Sequence, residues 1–88
     1  MNSADIQKLR AKAHHLNPVV MIGAAGLTAA VLAEIELALL AHELIKIKIR
    51  AEKALRQQMT QQICTETKAE LVQTIGQCTV VYRLNPDR

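Results

Sequence analysis

The sequence predicts one α/β (α+β) domain over residues 1–88, a mixed sheet with helices packed against it, in the order α-β-α-β-α-β-β. Three observations predict it. Short strand-type runs alternate with longer helical patterns along most of the chain. The segment Ile45–Arg50 alternates isoleucine with a cation at every second position. All 3 glycines fall where one pattern gives way to the next. Half of the 88 residues are apolar and 22% are charged, the balance of a chain that folds.

In the first helix, Ser3 is the expected N-cap and Asp5 favours the first turn. Ile6, Leu9, Ala13 and Leu16 form its apolar stripe, with Lys8, Lys12 and His15 together on the opposite side. Pro18 disfavours helical geometry at Asn17 and ends the helix. Val19–Ile22 then reads as a buried strand that runs straight into Gly23-Ala24-Ala25-Gly26. Thr28 is the expected N-cap of the second helix. Glycines let a foreign backbone come close, and a helix start offers unpaired N–H groups, so this turn suits an anionic group such as phosphate. A plain strand-to-helix turn has the same pattern.

Val31, Leu32, Ile35, Ala38, Leu39 and His42 share one side of the second helix, with His42 expected as a hydrogen-bonded structural residue. Leu37 and Leu40 lie on the other side. Either a neighbouring element covers them, or they form an exposed patch for a protein partner or a homodimer.

Leu44–Arg50 is the clearest strand. Its second face carries Lys46, Lys48 and Arg50 within about 13 Å, at a rise of about 3.3 Å per residue. Like charges in a row repel and add nothing to a sheet, so the row points to a polyanion, with edge protection by lysine as the other reading. If all three helices cover the isoleucine face, the cations point into the open. A third helix follows over Glu52–Thr67, with Leu55, Met59 and Ile63 on one stripe and 4 glutamines among its polar positions. Leu71–Ile75 and Thr79–Leu84 read as a hairpin turning at Gly76-Gln77. Arg83 stands near the end of the last strand, and Asn85 begins a polar tail, 85–88.

Net charge is +3, from 11 basic and 8 acidic residues, so the placement of charge matters more than its sum. Tyr82 is the lone aromatic residue, which argues against base stacking on aromatic platforms and for contact through phosphates and sugars. Cys64 and Cys78 form no C-x-x-C pair and read as free thiols in a reducing cytoplasm. The uncharged stretch Leu16–Ala33 is interrupted by Pro18, Gly23 and Gly26, so a strand plus a helix explains it better than a membrane span. His14, His15, His42 and the cysteines show no ligand spacing. We expect no metal, no cofactor, no small-molecule substrate and no catalytic activity.

Three blocks together resemble a known family. Leu16–Thr28, then His42–Ile49, then Ile75-Gly76 with Val81-Tyr82-Arg83, resemble in order and spacing the YhbY-type CRM domain (chloroplast RNA splicing and ribosome maturation). The resemblance covers nearly the whole chain. It implies a four-stranded mixed sheet with three helices, similar to the C-terminal domain of translation initiation factor three. It also implies a stand-alone bacterial RNA-binding protein associated with precursors of the large ribosomal subunit; beside it we expect a monomer in the cytoplasm. Its G-x-x-G loop, here Gly23, Ala24, Ala25 and Gly26, would touch RNA beside Thr28. Lys46, Lys48, Arg50, Lys8, Lys12 and Arg83 would form the electrostatic track. Family members often carry a basic or polar residue within the loop and lysine before the proline. Here the loop holds two alanines and Asn17 precedes Pro18, so loop contacts fall to backbone N–H groups.

Overall fold

Seven elements follow in the expected order: α1 (Ser3–Ala13), β1 (Val20–Ile22), α2 (Ala29–His42), β2 (Leu44–Ile49), α3 (Lys53–Thr67), β3 (Glu70–Ile75) and β4 (Cys78–Tyr82). The computed structural model describes residues 2–86, so 87 and 88 of the polar tail lie outside the described residues. The sheet order is β1-β2-β4-β3. β1 runs parallel to β2, while β2/β4 and β4/β3 are antiparallel. Val20 pairs with Ile47 and Ile22 with Ile49, so both strands aim their aliphatic residues at the same side.

That side is the main core. Ile22, Ile45, Ile47, Ile49 and Val81 pack there with Ile35 and Leu39 of α2 and Met59 and Ile63 of α3. Thr28 caps α2 as expected, its Oγ1 accepting from the Val31 N–H at 3.2 Å. Helix α1 is capped by Asn2 rather than Ser3: Asn2 Oδ1 accepts from the Asp5 N–H at 2.9 Å, and Ser3 is already helical. The hairpin turns at Gly76 with φ +56°, while Gln77 keeps a negative φ, the pattern of a type II′ turn.

One expectation of layering is corrected. Only α2 and α3 cover the isoleucine face; α1 packs on the other one. Ala13, with Leu9 and Leu16 beside it, meets Val72 of β3, Val80 and Tyr82 of β4, and Leu44 of β2. The Arg10 Nε donates to the Val72 carbonyl at 3.2 Å, where a bulge at Leu71/Gln73 interrupts the β3–β4 register. The physical reason lies in Val80-Val81-Tyr82: three consecutive large residues in one strand are apolar on both faces, so both faces need a cover.

The tail is also more than a polar end. The last strand stops at Tyr82, because Arg83 and Asn85 turn back onto α2. The Arg83 N–H donates to the Glu43 carbonyl at 2.9 Å, and the Asn85 N–H to a Glu43 carboxylate oxygen at 2.8 Å. Asn85 Nδ2 donates to the carbonyls of Leu39 and Leu40 at 3.1 and 2.9 Å. The Leu39 carbonyl also accepts from the Glu43 N–H at 2.9 Å, so Asn85 adds a second donor there and supplies one to Leu40 in the last turn of α2, where carbonyls run out of intrahelical partners. Asn85 is accordingly buried.

Candidate nucleic-acid interface

Strand β2 positions the cations. Its alternation buries Ile45, Ile47 and Ile49 completely and leaves Lys46 and Lys48 half-buried on the α1 side. Their cross-strand neighbours are Val80 and Cys78 on β4 and, for Lys48, Met21 on β1. No carboxylate stands opposite either lysine. Long aliphatic stems can lie over such neighbours while the ammonium groups reach water. Arg50 follows the strand and is exposed; its N–H donates to the Ile22 carbonyl at 2.9 Å. That bond sets Arg50 at the foot of the glycine loop, which starts one residue later on the neighbouring strand.

The loop is a tight turn. The Gly26 N–H donates to the Gly23 carbonyl at 3.0 Å, and the Thr28 N–H to the Gly26 carbonyl at 3.1 Å. Gly26 has φ +75°, a conformation that favours glycine, and its missing Cβ would sit 3.7 Å from the Met59 Cε. Gly23 differs: it has no positive φ, and a Cβ there would meet nothing within 4 Å. The fold itself therefore does not demand glycine at position 23. Ala24 and Ala25 are exposed between them. In the first turn of α2 the Val31 and Leu32 N–H groups are taken by Thr28. The amides of Ala29 and Ala30, next to the loop, have no acceptor among the described residues.

Helix α1 extends this surface rather than leaving it bare. Lys12 and Lys46 line a common groove of about 610 Å³, together with His15, His42 and Tyr82. The His42 side chain is exposed there and makes no hydrogen bond among the described residues, contrary to its expected structural role. Lys8 is exposed one turn before Lys12. None of Lys8, Lys12, Lys46, Lys48 and Arg50 forms a salt bridge among the described residues. Arg83 does not join them. Its guanidinium pairs with Glu36 of α2 and donates to the Thr67 carbonyl of α3 at 2.9 Å. Both partners belong to the helices of the isoleucine face, so Arg83 ties α2 to α3 on the far side of the sheet. It is removed from the candidate surface.

Charge is thus divided between α1 and α2. Helix α1 holds Lys8, Arg10 and Lys12 against Asp5, whereas α2 holds Glu34 and Glu36 and no Lys or Arg. Among the described residues no group of three or more His, Cys, Asp or Glu could hold a metal ion. No helix among them is long and apolar enough to cross a membrane. Both thiols are free, and partial burial pushes the Cys64 thiol up.

Fold and surface define a small α/β domain that presents a glycine loop and, beside a sheet edge, cations with no ion-pair partner among the described residues. The model of the CRS1 / YhbY (CRM) domain matches residues 1–83, and the chain belongs to that family. It is 56% identical over 78 residues to a protein of Haemophilus influenzae named RNA-binding protein, spanning 88% of this chain and 79% of that one. A probable RNA-binding protein of Pseudomonas aeruginosa is 47% identical over 74 residues, 83% of this chain and 71% of that one. The solution structure of the Staphylococcus aureus protein SAV1595 superposes with a TM-score of 0.84 at 28% identity. It covers 97% of this chain and 90% of its own. The three helices and the four-stranded mixed sheet agree with the architecture that the sequence predicts.

Proposed function

We propose that this protein binds RNA as a non-catalytic assembly factor for precursors of the large ribosomal subunit, as a monomer in the bacterial cytoplasm. The observation that carries the reading is the union of the Gly23–Gly26 loop with Arg50 and Lys48. A single backbone bond, Arg50 N–H to Ile22 carbonyl, holds them together at one corner of the sheet. The names of the relatives support RNA as the partner, and the resemblance to the CRM domain supports the ribosomal context. Phosphates dock on the loop and on Arg50, and the backbone continues over Lys48 and Lys46 towards Lys12 and Lys8. Such contacts read backbone and shape more than sequence.

Filter binding of ribosomal RNA tests this. With about 3–5 phosphates engaged, log K falls against log salt with a slope of roughly −2 to −4. A flat response sinks the reading. Gly23→Ala is the sharper variant: position 23 has neither a positive φ nor a neighbour to clash with. The substitution leaves the melting temperature in place and weakens RNA binding, because the new methyl group stands where the phosphate approaches.

A second reading has its own support. Leu37 is 68% exposed and Leu40 54%, so the outer side of α2 keeps large apolar residues in water. It serves a protein partner. Sedimentation over a range of concentrations separates the two cases: self-association abolished by Leu37→Ser with Leu40→Ser makes that partner a second copy.

A further inference from the structure

The glutamines of α3 take no part in the surface described so far. Lys53, Gln57 and Gln61, one turn apart, line a groove of about 640 Å³ between α3 and strands β3 and β4. Leu71 of β3, 47% exposed, stands on its other wall. Deep in the groove the buried hydroxyls of Thr60 and Thr79 satisfy each other at 3.0 Å. No carboxylate lines the groove. Gly76 of the hairpin borders it, and the next residue, Gln77, accepts from the Ile49 N–H at 2.8 Å, one residue before Arg50. The groove lies on the α3 side of the sheet, opposite Lys46 and Lys48, and meets the candidate interface at its Arg50 corner.

The geometry points to this groove as a subsite for one unpaired nucleotide of the bound RNA. The base lies against Leu71 with its edge on the carboxamides of Gln57 and Gln61, and its phosphate lies on Lys53. This rests on the RNA reading above and adds to it a preference for single strands. Each carboxamide offers a donor and an acceptor, which suits base edges, and a neutral wall avoids the repulsion that glutamates would bring to a phosphate backbone. A base in a duplex cannot present itself in this way, whereas an unstacked one can. Charge is complementary: two cations, Lys53 and Arg56, line the groove with the neutral carboxamides, and Arg56 is also tied to the Ala51 carbonyl at 2.6 Å.

The test compares a single-stranded oligoribonucleotide of mixed sequence with a blunt RNA duplex of equal length. Wild-type protein is expected to bind the single strand more tightly. Gln57→Ala with Gln61→Ala, both exposed positions outside the core, lowers single-strand affinity roughly tenfold and leaves duplex affinity unchanged. Arg50→Glu weakens both. Unchanged single-strand affinity in the glutamine variant, with Arg50→Glu still weakening both ligands, overturns the groove and leaves the RNA interface standing. Failure of wild-type protein to bind either ligand overturns both. A second measurement uses unaltered protein: Cys64 lines the same groove. The single strand, and not the duplex, is expected to slow its alkylation by N-ethylmaleimide; equal rates overturn the subsite.

Discussion

On one face of the sheet two helices close over Ile22, Ile45, Ile47, Ile49 and Val81, each at most 1% exposed. On the other a single helix lays Ala13 against Val72 and Val80 and leaves Lys46 and Lys48 half-buried. The same strand, β2, supplies both. Packing and the proposed recognition are thus separated by one residue of alternation, and each is expected to be disturbed without the other. The closed face tolerates no change of volume, because interiors are packed like crystals. The half-covered face tolerates changes of charge at Lys46 and Lys48, because neither is held by a partner among the described residues.

That contrast can be broken at several points. The largest effect is expected from Ile47→Ala on the closed face. Such truncations cost about 2–5 kcal/mol, a large part of the roughly 5–15 kcal/mol that holds a small domain together. Urea denaturation reads it, and a loss below about 1 kcal/mol would show that α2 and α3 do not seal the core. Next comes Arg83→Met, which cuts the link between α2 and α3. We expect about 1–3 kcal/mol of destabilisation with RNA affinity unchanged. Loss of affinity at unaltered stability would return Arg83 to the binding surface.

Smaller again is Lys68→Gly. Lys68 ends α3 with φ 60° and ψ 24°, where glycine is the usual residue. The change is expected to add up to about 1 kcal/mol, read as a rise in the urea midpoint. The smallest stability effect belongs to Lys48→Glu, one residue from the first site. It is expected to shift stability by no more than about 0.5 kcal/mol while reducing the salt slope of RNA binding by about one. If Lys48→Glu unfolds the domain, the two faces are not independent.

Much of the architecture was legible because local signals were strong. The Ile/Lys alternation of β2, the Thr28 cap and the Gly76 turn each act through neighbours in sequence, and each stands where it was expected. The side chosen by α1 was less legible. Its stripe says only that one side seeks apolar cover, and the partner, Val72 and Val80, lies some sixty residues away. The pairing of Arg83 with Glu36 is equally non-local; a cation at a strand end has the same sequence whether it meets solvent or a carboxylate. Asn85 was hidden for the same reason, since its role depends on where α2 ends in space. At the candidate site, the loop and Arg50 were visible singly, and their adjacency came from the parallel register of β1 and β2.

Glu43 carries a consequence for the strand beside it. It is the sole residue between α2 and β2, it has φ 64° without being glycine, and its backbone and carboxylate are bonded to Arg83 and Asn85. A connection of one residue, pinned from the far end of the chain, has no slack. Were the strand to slip by a single position, lysines would enter the oily interior and isoleucines would face water. The joint works as a detent that keeps the molecule right side out, and an extra residue inserted there would invert it.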